Sequence, residues 1–245
     1  MHVDAVVVAR GVSGGAPGAV HPLTPVAGVP MLVRSVRALL AGLSAEPSTA
    51  ALSTPGLSTT GRADRVIVVA PAALHDAVVR ACDGLPIAVR ETVPGVAGRA
   101  RSGEAHVGQR TDPPPGDGWA DHPGDDPVTI LHDAARPLAP PALVAAVLAE
   151  AAAGAAAVAP LLPLTDTVKL VDAADVVIAT PDRAGLRVLQ TPQAVRTALL
   201  DPAEDPFAAI PRLAARGAVR HVPGDPAAFP VLTAWDLRLA ELLVH

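Results

Sequence analysis

Short runs of valine, isoleucine and alanine alternate along this chain with longer amphipathic or Ala/Leu-rich stretches, and that alternation restricts its fold more than any other feature. A strand covered on both faces needs a continuous apolar run, and a parallel neighbour needs a crossover long enough to hold a helix. The pattern therefore predicts βα units on a mainly parallel sheet. Strands are expected at Val3 to Ala9, Arg65 to Ala70, Pro86 to Arg90, Val128 to Leu131 and Ala156 to Leu162. Helices are expected at Pro30 to Ala41, Ala73 to Cys82, Arg99 to Gln109 and Pro141 to Ala153.

With 245 residues, 50% of them apolar, the chain holds enough material for one sizeable core, so one domain over 1–245 is expected. Two stretches break the rhythm. Residues 43–61 are rich in Ser, Thr, Ala and Pro, and residues 111–127 in Pro, Gly and Asp. Neither offers enough apolar surface to offset the cost of ordering it, so both read as mobile insertions, set away from the carboxyl ends of the strands.

The net charge of -5 gives no electrostatic case for nucleic acid or an anionic membrane as a partner. Aromatics are 2% of residues and tyrosine is absent, which argues against recognition of bases by stacking on an aromatic platform. Cys82 is the lone cysteine, which rules out an internal disulfide, fits a reducing compartment and reads as a small buried hydrophobe. Met1-His2-Val3-Asp4 lacks the basic start of a signal peptide. The Ala-rich run from Ala142 to Val158 contains Glu150 and Gly154 and ends at Pro160, so it reads as a helix feeding a strand rather than a membrane span. A cytoplasmic protein is expected.

Chemistry concentrates in two places. His132-Asp133-Ala134-Ala135-Arg136-Pro137 directly follows Val128-Thr129-Ile130-Leu131, so a carboxylate and a guanidinium emerge together where a strand meets its loop. Open α/β sheets bind ligands at such carboxyl ends. A plain alternative is a local Asp133–Arg136 salt bridge ahead of the helix that Pro140-Pro141 introduces. Downstream lies Gln190-Thr191-Pro192-Gln193, reached through Asp166-Thr167-Val168-Lys169 and Thr180-Pro181-Asp182-Arg183. Leu164 to Lys169, a polar turn around Asp172 to Asp175, and Val176 to Ala179 read together as a hairpin arm. Lys169, the chain's only lysine, reads as pairing across that arm, and Asp166 and Arg183 have the same option. At the N-terminus, Val8 to Gly15 follows a strand as a phosphate-cradling loop would, although any strand-to-helix turn can be glycine-rich. Arg10, within it, reads as a solvated loop arginine.

These segments keep the order and approximate spacing seen in the 2-C-methyl-D-erythritol 4-phosphate cytidylyltransferases, and the chain resembles that family. The resemblance implies a three-layer α/β/α, nucleotide-diphospho-sugar transferase-like fold with a mainly parallel twisted sheet. It also implies a β-hairpin arm within 161–193 that exchanges with a second subunit to form a homodimer. The implied activity is transfer of CMP from CTP to methylerythritol phosphate in non-mevalonate isoprenoid biosynthesis, with Mg2+ or another divalent cation. By position, the resemblance makes Asp133 catalytic and the metal residue, and puts His21, where relatives carry a lysine, in a catalytic place. Ala9, Gly11, Ser102, Asp133 and Ala134 fall at nucleotide contacts. Arg136, Thr167, Thr191 and a neighbour's Arg183 fall at contacts to the polyol phosphate.

The chain departs from the family in several places. Residues Ser13 to Gly15 offer no cation where the family has an arginine. Gly95, Arg99 and Ser102 fit part of the cytosine-contacting Gly-Gly-x-x-Arg-x-x-Ser stretch, but Val96 and Ala97 replace its second glycine and next polar residue, and Ser102 also reads as a helix cap. The family's acidic stretch falls at Phe207 to Ile210 and its last lysine at Pro230. Losing one preorganised cation typically costs on the order of 100- to 1000-fold in rate. A second reading therefore stays open, a non-catalytic paralogue that binds or regulates.

Overall fold

The computed structural model describes residues 1–10, 19–45, 65–91 and 126–244. In chain order the strands are β1 (Val3–Val8), β2 (Pro25–Val26), β3 (Val29–Pro30), β4 (Arg65–Ala70), β5 (Ala88–Glu91), β6 (Val128–Asp133), β7 (Ala157–Pro163), β8 (Leu170–Val171), β9 (Val177–Ala179), β10 (Arg187–Leu189), β11 (Gln193–Arg196) and β12 (Val219–Pro223). The helices are α1 (Met31–Leu43), α2 (His75–Ala81), α3 (Pro141–Ala152), α4 (Ala209–Ala214) and α5 (Ala234–Val244).

Among the described residues the expected apolar runs join one sheet of eight strands. β1 lies between β4 and β6, and β5 borders β4, all in parallel. The pairings are not all parallel. β11 runs antiparallel to both β6 and β7, and β10 antiparallel to β7, while β12 restores a parallel pairing on β7. β10 and β11 succeed one another along β7, opposite Leu161–Pro163 and opposite Ala157–Val158. Between them stand Gln190, Thr191 and Pro192, with a cis Thr191–Pro192 peptide.

Alternation of side chains sorts the core into two faces. Val3, Ala5 and Val7 of β1 and Ile130 of β6 pack with Leu32, Val36 and Leu39 of α1, Val78 of α2, and Leu143, Val144 and Val147 of α3. On the other face, Leu131, Ala157, Ala159 and Val195 pack with Ala209, Ile210 and Leu213 of α4, with Val6 and Phe207 against them. This is the expected three-layer α/β/α arrangement. Cys82 is buried in the first cluster, and burial pushes its thiol pKa up. No described helix is long and apolar enough to cross a membrane.

Several boundaries moved. The strand at 128 runs two residues past Leu131, so His132 and Asp133 belong to β6 rather than to the loop, because their backbones stay paired with Val7 and Val8. The third strand starts at Ala88, and the second helix opens as a 3-10 turn, Ala72–Leu74. The first arm of the hairpin shifts to Leu170–Val171, opposite Val177–Ala179; Leu164 to Lys169 forms no strand. The helix expected at Arg99 to Gln109, and residues 46–61 and 111–125 of the expected insertions, lie outside the described residues. Thr233 and Asp236 cap α5 reciprocally, the Asp236 carboxylate accepting the Thr233 N–H at 2.8 Å and Thr233 Oγ1 accepting the Asp236 N–H at 3.2 Å.

α1 and α3 meet closely at Gly42. A Cβ there would sit 2.5 Å from Val144 Cβ and 2.6 Å from the Pro141 carbonyl oxygen. Overpacking of this kind costs about 1–3 kcal/mol. Gly42→Ala should therefore lower the urea midpoint of unfolding with an unchanged slope; an unchanged midpoint would show that the two helices part freely.

Candidate functional site

Everything that bears on chemistry begins at the carboxyl ends of β1 and β6. The ladder continues beyond both strands: the Ala9 N–H donates to the Val69 carbonyl at 2.8 Å, and the Ala134 N–H to the Val8 carbonyl at 3.1 Å. Ala9 and Ala134 are fully buried, and Ser35 Oγ of α1 donates to the Ala134 carbonyl at 3.3 Å. Small side chains here let three elements close on one another, and they leave Asp133, the last residue of β6, at the rim. Its Oδ1 accepts the Ala135 N–H at 2.9 Å, a turn that holds the carboxylate against its own backbone.

The second motif is bound to the first. Thr191 Oγ1 accepts the Asp133 N–H at 3.1 Å and lies 3.0 Å from His132 Nδ1. Thr191 is 5% exposed and His132 1% exposed, so this is an interior contact. Burial, and after it the positive charge of Arg136, depress the His132 pKa to about 4. Nε2 makes no hydrogen bond of normal geometry, which leaves the Arg136 backbone only a weak opposing pull. His132 is therefore a neutral spacer between two functional segments.

Arg136 turns inward as well. Its guanidinium donates to the carbonyls of Ala228 and Leu189, the latter at 3.3 Å, and burial lowers its pKa while the Asp133 charge works the other way. Gln190 reaches the same loop: its Nε2 donates to the Asp225 carbonyl at 2.8 Å and its Oε1 accepts the Asp225 N–H at 2.9 Å. Arg136 and Gln190 thus fasten residues 225–228 beside the motif. The local salt bridge is not where these hydrogen bonds go.

The His21 loop is joined to the site through backbone. Val231 donates its N–H to the Ala135 carbonyl at 2.7 Å, and Val20 donates to the Leu232 carbonyl at 3.0 Å. His21 Nδ1 accepts the Leu23 N–H at 3.1 Å, which assigns the ring proton to Nε2 and leaves that N–H as the donor. Thr167 and Arg183 lie out on the exposed hairpin, and Arg183 donates to the Thr165 carbonyl of its own arm. Lys169 does pair across the arm, 2.7 Å from Thr180 Oγ1. Gly11 and Ser102 lie outside the described residues.

Arg10 departs from its expected place in solvent. Its guanidinium donates to Asp205 Oδ1 at 2.8 Å and lies 5.0 Å from the centre of the Phe207 ring. Sequence reasoning gave no role to His132, Gln190 or Asp205. The first two stood inside quoted motifs, and only the fold reveals what they bind. Among the described residues, no cluster of three or more His, Cys, Asp or Glu residues is placed to hold a metal ion.

Removing the Thr191 hydroxyl would orphan the Asp133 N–H and alter the His132 contact. An unsatisfied buried polar group costs about 1–3 kcal/mol. Thr191→Val should lose that much stability by denaturant titration and Thr191→Ser far less; equal values for the two would mean the hydroxyl bonds nothing of consequence.

A family model described as IspD, 2-C-methyl-D-erythritol 4-phosphate cytidylyltransferase, matches residues 121–245. A protein of that name from Nocardia farcinica is 39% identical over 200 residues, covering 79% of this chain and 80% of the relative. One from Rhodococcus opacus is 36% identical over 203 residues, covering 78% and 79%. A bifunctional enzyme IspD/IspF from Clavibacter michiganensis is 39% identical over 254 residues, covering 98% of this chain and 53% of that protein. Among solved structures, the 2-C-methyl-D-erythritol 4-phosphate cytidylyltransferase of Thermus thermophilus superposes with a TM-score of 0.61 at 26% identity, covering 99% of this chain and 98% of that one. The chain belongs to the 2-C-methyl-D-erythritol 4-phosphate cytidylyltransferase family.

Proposed function

We propose that this protein is a cytidylyltransferase that transfers CMP from CTP to 2-C-methyl-D-erythritol 4-phosphate. The observation that carries this reading is the Thr191 hydroxyl bound to the backbone of Asp133, which joins the nucleotide-side motif to the acceptor-side motif. The relatives named above support the choice of substrates.

In this reading the acceptor's phosphate oxygen attacks the α-phosphorus of CTP in line, the bond to the bridging oxygen breaks, and pyrophosphate leaves. The ionised phosphate is the nucleophile, so no general base is required. Ala9, Gly11, Ser102 and Ala134 are the nucleotide-side contacts. Asp133 orients the nucleotide, and His21 offers its Nε2–H to an anionic oxygen. Arg136, Thr167 and a neighbour's Arg183 hold the acceptor, with Thr191 setting the position of Asp133 from below. A divalent cation such as Mg2+ fits the donor set: with one carboxylate at hand, the ion would be held by Asp133 and by phosphate oxygens, as Mg2+ ordinarily is. When bound it would neutralise charge on the triphosphate.

We read the chain as one nucleotidyltransferase-like domain over 1–245, acting as a cytoplasmic homodimer through the arm within 161–193. Val171, Val176, Val177 and Ile178 are each at least half exposed on that arm, which supports a partner surface there. The deciding experiment is pyrophosphate release with CTP, methylerythritol phosphate and Mg2+. Turnover comparable to that of a family member is expected; binding of the acceptor with no turnover would favour the non-catalytic reading.

A further inference from the structure

Arg10 stands where no motif assigns it a task. Val8 of β1 pairs with Asp133 of β6 in parallel register, and Ala134 continues the pairing. Side chains two residues apart share a sheet face. Val6 and Leu131 both belong to the face covered by α4, so Arg10 and Asp133 emerge from neighbouring strands on that same face and at the same edge. The position of the Arg10 guanidinium over Phe207, a residue of that face, agrees independently.

The guanidinium there is held rather than consumed. Asp205 Oδ1 takes one N–H at 2.8 Å and is itself fixed by the Phe207 N–H at 3.0 Å. Nε is buried without a hydrogen-bond partner, while the side chain as a whole keeps about a quarter of its surface, 26%, open. An arginine fork carries five donors and matches phosphate oxygens in a fixed plane. A carboxylate on one edge and a ring beneath restrict that plane before any ligand arrives. Of the other described guanidiniums near the motif, Arg136 donates to two carbonyls and is assigned to the acceptor side, and Arg212 is held by Glu204 and the Leu199 carbonyl.

We propose that Arg10 is a nucleotide-binding residue of this protein, the cation that meets the phosphate chain beside Asp133, with Asp205 and Phe207 as the residues that position it. This rests on the nucleotidyltransferase reading above. A charge-assisted bond to phosphate, lost, corresponds to roughly 10- to 100-fold in affinity. The test is calorimetry with CTP and Mg2+, and separately with methylerythritol phosphate, on the parent protein and on Arg10→Ala, Arg10→Gln and Arg10→Lys. The glutamine variant puts an uncharged polar amide where the Arg10 stem lies, so it serves should the alanine variant fold poorly. Both neutral variants should lose about 10-fold or more in CTP affinity, lysine should recover part of it, and acceptor affinity should stay within about 2-fold. Parent-like CTP binding by a folded Arg10→Gln overturns the assignment and leaves the cytidylyltransferase reading intact. Equal losses for CTP and acceptor would make Arg10 merely structural and also overturn it. A parent protein that binds no CTP and releases no pyrophosphate removes the functional reading, and this one with it.

Discussion

Asparagine at position 133 should lower CMP transfer about 100- to 1000-fold, the usual cost of removing one preorganised electrostatic group. The fold should hardly notice. Asp133 Oδ1 accepts the Ala135 N–H at 2.9 Å, and an asparagine Oδ1 can accept the same bond. The backbone N–H bond to Thr191 does not involve the side chain at all. What disappears is the negative charge at the rim, which the proposed mechanism uses to hold a divalent ion and to orient the nucleotide. The loss should therefore appear in kcat at saturating substrates, with the melting temperature within about 2 °C of the parent. Parent-like pyrophosphate release from Asp133→Asn would remove this carboxylate from the mechanism.

Acid should expose the second large effect, and its source is His132. Burial holds this ring's pKa near 4 in the folded protein against about 6.5 in the unfolded chain. Between those values the unfolded state binds a proton that the folded state refuses, so stability rises with pH there. Read downward, the His132 contribution is complete above about pH 6.5, is lost through the interval and changes no further below about pH 4. A shift of this size corresponds to about 3 kcal/mol, at one proton per molecule in the steep region. His132→Asn offers a hydrogen-bonding amide in place of the ring and does not titrate. Its unfolding free energy, measured from pH 7 to pH 4, should decline less steeply than the parent's by that amount. Parallel curves for the two proteins would show that His132 takes up its proton without penalty.

The arrangement of layers was largely legible in the residues. β4 runs from Arg65 to Ala70 as expected, because a run of β-branched residues between a polar stretch and a proline has little other choice. β6 extends beyond its apolar run at one end. Its polar residues, His132 and Asp133, carry no strand signal of their own, and they stay extended because β1 and Thr191 bond their backbones. The hairpin slid for a related reason: its tip is exposed throughout, so no buried face pins the register, and the turn at Asp172 decides it by accepting the Ala174 and Val176 N–H groups.

At the candidate site the division is similar. Asp133 and Arg136 were visible because they follow an apolar run in a dense motif. Their directions were not: a pair that reads as a salt bridge in sequence has its guanidinium on the carbonyls of Ala228 and Leu189 instead. Thr191 reads as a ligand contact and is found buried, its hydroxyl serving the backbone of β6. Hydrogen-bond partners across 58 or 92 residues of chain cannot be read from spacing.

By itself the sequence determined the class of fold and the two motifs proposed to hold the chemistry, since the first follows from local periodicity and the second from charged and polar residues gathered directly behind an apolar run. The tertiary structure alone decided which groups meet. Arg10 and Asp205 are separated by 195 residues and become a pair only when β1 and the turn before α4 are packed on one sheet face. His132 becomes a neutral spacer only when α1 and α3 close over that sheet and take away its water. Both outcomes depend on desolvation and on long-range pairing, and neither exists until the core has formed.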